Sequence, residues 1–176
     1  MCSNKLLDKT VITPPVEEPV TLEEMKTWAS IDYDEKNMTI QGMIVAAREM
    51  LEEKYDIGIA KKTIRAIVDN SCGGIEITGS PIGNVTGFDR DGGDVELSII
   101  GVGNKFIESP CACYLEIEYE SGYDLPDTPM ALREAIKQQV LWMLEHLGEE
   151  DFDTQISPMA AMSLKPFRRN GTGIFI

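Results

Sequence analysis

LEIEYESGYDLPDTPMALREAIKQQVLWMLEHLG, residues 115–148, changes its hydrophobic period halfway along. As far as Tyr123 the period is two. Cys113, Leu115, Ile117 and Tyr119 alternate with acids at Glu116, Glu118 and Glu120, as in a strand with one buried face. Beyond Pro126 and Pro129 the period becomes helical, with Leu132, Ile136, Val140, Met143, Leu144 and Leu147 in one apolar stripe. Asp127 or Thr128 is placed to cap this helix, and Pro129 suits a first helical position, where its missing N–H costs nothing. Gly148 closes the segment. A strand leading straight into the chain's strongest helix separates sheet from helices, which defines an α+β class.

Upstream of this segment, residues 60–123 carry strand patterns. Ile64, Ala66 and Val68 alternate, then Ile75 and Ile77, then Val95, Leu97 and Ile99. Breakers divide them: Cys72-Gly73-Gly74, Gly79-Ser80-Pro81, Asp91-Gly92-Gly93 and the run from Gly101 to Asn104. Asp91-Gly92 is a hairpin turn, because glycine supplies the positive φ such turns need. The expectation is a small antiparallel sheet inserted between helices.

The helices before it have clear starts. Thr21 and Glu24 form a capping box, with Val20 and Met25 as its hydrophobic staple, so a helix should run from Leu22 to about Ser30. A second helix starts at Asp34 and repeats Met38, Ile40, Met43, Ile44, Ala47, Met50 and Leu51 to Tyr55, with Gly58 stopping it soon afterwards. Arg48, Glu49, Glu52, Glu53 and Lys54 read as its solvated face. The two helices make a helical hairpin. Pro14, Pro15 and Pro19 keep the preceding residues extended, and Pro158, Pro166, Gly171 and Gly173 do the same at the other end. The expected organisation is an extended arm over residues 1–20, one domain over 21–153 with the β insertion at about 60–123, and an extended arm over 154–176. The domain is a small helical bundle, formed by the hairpin and the long C-terminal helix.

Charge and composition exclude several functions. The chain has 176 residues, 43% of them hydrophobic, which suffices for a core without disulfide or metal staples. Its net charge is −14, the wrong sign for gripping nucleic acid or an anionic membrane surface. No run approaches a membrane span. Cys2, Cys72, Cys111 and Cys113 lack CxxC spacing and are read as reduced thiols, and the single histidine, His146, lies far from them, so no metal site is expected. His146 ends a helix, where the dipole favours it, and the acids fall in helix-surface runs. No catalytic set and no cofactor site emerge. The glycine clusters lack the spacing of phosphate-binding loops, and Asp89, Asp91 and Asp94 read as a hairpin tip rather than a calcium loop.

The order of segments carries a resemblance. Thr21-Leu22-Glu23-Glu24-Met25-Lys26, then Ile31-Asp32, then a helix containing Ala46-Ala47-Arg48-Glu49 resembles the start of tailed-phage head–tail connector (head-completion adaptor) proteins. Leu115 to Tyr123, Leu125-Pro126 and Leu132-Arg133-Glu134-Ala135-Ile136 are similar to that family's strand, Gly-Tyr turn and final helix. Ser163-Leu164-Lys165-Pro166-Phe167-Arg168-Arg169 is similar to its aliphatic–proline–aromatic–arginine ending. Together these stretches cover about half the chain. Ala29 and Ser30 depart from the leucine and arginine usual there, and residues 70–112 match only as strands with turns.

The resemblance implies a non-enzymatic adaptor subunit of the virion, made in the host cytoplasm. It would form a homo-oligomeric ring between the portal protein and downstream tail or stopper proteins, with DNA passing through the channel unbound and no membrane involved. Residues 154–176 carry Lys165, Arg168 and Arg169 and no acid. Their apolar members would be costly to leave in water, so Met159, Met162, Leu164, Phe167, Arg168 and Arg169 are the expected contacts with a neighbour. A different class also fits the charge: an acidic DNA mimic or regulatory binding protein, which would be a monomer or dimer and separable by mass. A small enzyme using carboxylates is disfavoured by the missing pocket signature.

Overall fold

The computed structural model describes residues 5–69, 74–101, 105–109, 114–148 and 155–167. The chain divides into two compact units, one of residues 1–16 and 60–124, the other of residues 17–59 and 125–176. The expected turns at Cys72-Gly73 and Val102-Gly103-Asn104, the positions of Cys111 and Cys113, the acidic stretch 149–153 and residues 168–176 lie outside the described residues.

The first unit is antiparallel β, as the alternation implies. A five-stranded sheet has the order β1-β2-β8-β4-β5, from Lys5–Thr13, Lys62–Asp69, Tyr114–Ser121, Ile82–Phe88 and Asp94–Val95 respectively. A three-stranded sheet has the order β3-β7-β6, from Ile75–Ile77, Lys105–Glu108 and Ser98–Ile100. β2 and β8 pair from Lys62 opposite Ser121 to Asp69 opposite Tyr114 without a slip. That register puts Ile64, Ala66 and Val68 beside Tyr119, Ile117 and Leu115, and all six are buried with Ile77, Ile82 and Ile107. The opposite face carries Arg65, which pairs with Glu116 and Glu118.

Three expectations change here. The stretch from Val95 to Ile99 is not one strand: β5 joins the large sheet and β6 the small one. Residues 82–88, where no strand is expected after the breaker at Gly79-Ser80-Pro81, form β4, whose two glycines and asparagine hide a strand signal. Residues 5–13, read as part of an unpacked arm, are extended but paired along β2. Their pairing slips between Leu6 and Asp8 and again between Val11 and Thr13, which makes Leu7 and Ile12 the bulged residues. The hairpin tip forms as read: Asp89 Oδ1 accepts the N–H groups of Asp91 and Gly93 at 2.9 and 2.8 Å. Gly92 sits at φ 81°.

Gly122 fixes where the first unit's chain ends meet. Its φ is 101°, and a Cβ there would lie 2.3 Å from the Ala60 carbonyl oxygen. No other residue allows that approach. The Lys61 N–H bonds the Tyr123 carbonyl at 3.0 Å beside it.

The second unit is helical. α1 (Leu22–Ala29), α2 (Asn37–Tyr55) and α3 (Met130–Glu145) are the three expected helices, and α4 (Pro158–Ser163) is an added one. Thr21 caps α1, its hydroxyl accepting the Glu24 N–H at 3.1 Å, and Val20 and Met25 are both buried as a staple requires. α2 begins at Asn37 rather than Asp34, because the Asp34 carboxylate is engaged by Lys26 and Asn37. It ends at Tyr55, with Asp56 at φ 52° rather than Gly58 making the left-handed cap. Pro129 stands at the N-cap of α3, one position earlier than expected, with no side-chain cap bond.

Within α3 the apolar stripe is shorter than its sequence suggests. Leu132, Ala135, Ile136 and Val140 are fully buried, whereas Leu147 is half exposed. The core of this unit also holds Ile40, Ile44, Ala47, Leu51, Ala160 and Leu164. Residues 155–167 are therefore not an extended arm. Ser157 caps α4 and Pro158 occupies its first turn. α4 packs on α3, and burial of Ala160 and Leu164 supplies the stabilisation that so short a helix lacks on its own.

Candidate interaction surfaces

Among the described residues, no group of three or more His, Cys, Asp or Glu side chains is arranged to hold a metal ion, and no helix is long and apolar enough to cross a membrane. His146 caps α3; its Nδ1 lies 2.8 Å from the Trp142 carbonyl, and its ring lies against the indole.

The polar side chains the structure does bury are fasteners. Arg48 and Glu52, read as a solvated face, are 3% and 6% exposed. Arg48 forks onto Glu18, donating from Nε at 2.8 Å and Nη2 at 3.1 Å, and donates from Nη1 to Glu52 at 2.8 Å. The other oxygen of Glu52 accepts the Ile59 N–H at 2.8 Å. One guanidinium thus ties the segment before α1 to the end of α2 and, through Glu52, to the chain leaving it. Burial alone would lower the Arg48 pKa; the Glu18 hydrogen bond and the charges of Glu52 and Glu18 outweigh that and raise it. The i, i+4 spacing of Arg48 and Glu52 is visible in sequence, but Glu18 lies thirty residues away.

A second fastener joins α1 to α3. Glu24 does not close its capping box; its carboxylate accepts from Arg133 at 2.5 Å and faces Lys137 at 3.0 Å, and Lys137 also donates to Glu134. Partial burial would raise the Glu24 pKa, but the hydrogen bonds and charges of Lys137 and Arg133 lower it. A carboxyl with a depressed folded pKa contributes stability above its unfolded value and loses it as pH falls. Stability should therefore decline as pH drops below about 4.5. In Glu24→Gln that decline should be shallower, so urea midpoints of the two proteins should converge in acid. Parallel curves would remove Glu24 from the network.

Gln139, fully buried on α3, holds the tail. Its Nε2 donates to the Gln155 carbonyl at 2.9 Å and its Oε1 accepts the Ser157 N–H at 2.7 Å. Both amide groups meet the backbone just before α4. Gln139→Ala leaves those backbone groups without their buried partner and should cost about 1–3 kcal/mol, read as a lower melting temperature. A glutamine inside an apolar stripe is the sequence signal for such a clamp.

Of the expected contact residues, Met159 and Met162 are exposed, 54% and 57%, three residues apart on α4. Phe167 is half-buried. Leu164 is corrected: it is 0% exposed and belongs to its own chain's core. Arg168 and Arg169 lie outside the described residues.

The first unit presents a surface that sequence reading missed. A groove of about 310 Å³ is lined by Leu6, Ala66, Val68, Ile75, Glu76, Ile77, Thr78, Ile117 and Tyr119. β1 and β3, which both contribute to it, stand at the margins of their sheets. The apolar and β-branched content of residues 5–13 was the available signal.

No protein-family model matches the sequence, and no curated protein sequence matches it. Solved structures do match the fold. A chain in the virion of a native gene transfer agent particle superposes with a TM-score of 0.72 at 13% identity, over 91% of this chain and 94% of that one. A chain in the neck of the empty particle, computed with C6 symmetry, gives 0.67 at 11% identity over 89% and 95%. One in the neck of the native particle, computed with C12 symmetry, gives 0.65 at 13% over 89% and 94%. The chain shares its α+β fold with these particle proteins along almost its full length.

Proposed function

We propose that this protein is a structural head–tail connector subunit of a tailed-phage-like particle, forming a ring between portal and tail around the DNA channel. The observation that carries it is the near full-length fold likeness to chains of gene transfer agent virions and necks. The order of connector-like segments along the sequence supports it independently. A ring requires heterologous contacts, one face of a subunit against a different face of the next. The symmetric necks of the similar structures fit that arrangement. The portal protein and a downstream tail or stopper protein are the proposed neighbours, and the virion is the proposed location. Cryo-electron microscopy of the assembled particle tests this: density for the chain in a closed ring at the neck is the expected result, and a position elsewhere or as isolated copies overturns it.

The reading includes passage of DNA without gripping it. With a net charge of −14, duplex DNA should show no measurable binding at physiological salt. Fluorescence anisotropy with a labelled duplex checks this. Micromolar affinity that weakens steeply with added salt would reveal phosphate contacts and refute it.

A further inference from the structure

We propose that the groove between β1 and β3 receives residues 168–176 of a second copy of this chain, bound as an added strand. The proposal deepens the ring reading and rests on it for the occupant. The groove is bordered by two sheet-margin strands, and its walls are mostly aliphatic, with Glu76 and Thr78 among them. Leu6 lines it and is 47% exposed, so it stands at the mouth. At about 310 Å³ the groove lies at the small end of ligand pockets, which span roughly 300–1,000 Å³. That size suits one or two apolar side chains of a peptide. Sheet-margin backbone beside an apolar slot is the arrangement for strand addition, in which main-chain hydrogen bonds hold the peptide and alternate side chains enter the slot.

The chain itself encodes such a peptide. Arg168-Arg169-Asn170-Gly171-Thr172-Gly173-Ile174-Phe175-Ile176 follows Phe167, ends in a β-branched and aromatic triplet, and has no acid. Fully extended, nine residues reach at most about 30 Å. Its two arginines complement a chain of net charge −14. Groove on one copy and tail on the next form a heterologous contact that repeats around an axis.

The test uses a fluorescein-labelled peptide of residues 168–176. It is titrated against the full chain carrying Ile174→Asp with Phe175→Asp, which disables that chain's own tail. Saturable binding is expected, weakened at least ten-fold by adding Leu6→Glu to the chain or by placing the same two aspartates in the peptide. Leu6→Gln replaces Leu6→Glu should the latter lower the melting temperature. No saturable binding, or equal binding to the Leu6 variant, overturns the proposal. Light scattering then examines a mixture of the tail variant with the Leu6→Glu chain. Each keeps one half of the contact, so the mixture should form 1:1 heterodimers although neither protein self-associates. A mixture that stays monomeric places the tail in its own chain and overturns the second-copy assignment. Rings seen in particles alongside a negative peptide result would retire this contact and leave the connector reading standing.

Discussion

Arg48→Ala should cost the helical unit about 3–5 kcal/mol, because it takes the guanidinium away from the buried Glu52 carboxylate. Set against the roughly 5–15 kcal/mol by which native domains are stable, that is a large fraction. Arg48 reaches Glu18, Glu49 and Glu52 at once, so the truncation removes four hydrogen bonds and the cation that three carboxylates share. Arg48→Lys should fall between, since an ammonium keeps the charge but cannot fork onto Glu18. Glu52→Gln should be milder than Arg48→Ala, because its amide oxygen can still accept the Ile59 N–H. The chain's two tryptophans, Trp28 and Trp142, both lie in the helical unit, so tryptophan fluorescence in urea isolates the relevant transition. An Arg48→Ala midpoint within error of the parent would show that the fork contributes nothing.

Removing residues 157–176 should be at least as damaging. The truncation strips Ala160 and Leu164 from the core and exposes the face of α3 they covered. Emptying a buried leucine site alone costs about 2–5 kcal/mol. The loss of the Ser157 N–H from Gln139 adds the desolvation cost of a buried amide, about 1–3 kcal/mol. The expected result is a tryptophan-reported unfolding transition moved to much lower urea, or absent. An unchanged transition would return this stretch to the status of an arm that folds only on a partner.

That contrast marks where sequence reading succeeds and fails. Periodicity found α2, α3 and the buried rows of β2 and β8, because one face of each element is apolar and the spacing alone reveals it. The Thr21 cap was legible because its partners lie within one turn. What escaped is what long-range contact decides. Proline and glycine in the tail argue for an extended chain, yet six residues form a helix because α3 offers a buried surface and Gln139 a backbone clamp. Arg48 looked solvated because nothing local signals that Glu18 will cover it. β4 was hidden by Gly83, Asn84 and Gly87, residues poor in strand propensity that pairing to β8 holds in place. The candidate contact surface was legible only in part. Met159 and Met162 remain exposed, Leu164 does not, and the groove is assembled from strands far apart in the chain.

The position of β1 has a consequence for how the molecule is made. β1 ends at Thr13, but its partner β2 begins at Lys62, and β2's other neighbour is complete only at Ser121. At about 5–20 residues per second, a ribosome needs on the order of ten seconds to cover that interval. Throughout it, Leu6, Leu7, Val11 and Ile12 wait with no sheet to join. The irregular pairing at Leu7 and Ile12 and the charges of Asp8 and Lys9 make this strand a poor template for its own kind. Those irregularities thus guard the nascent chain against pairing with the β1 segment of another copy before β2 is made.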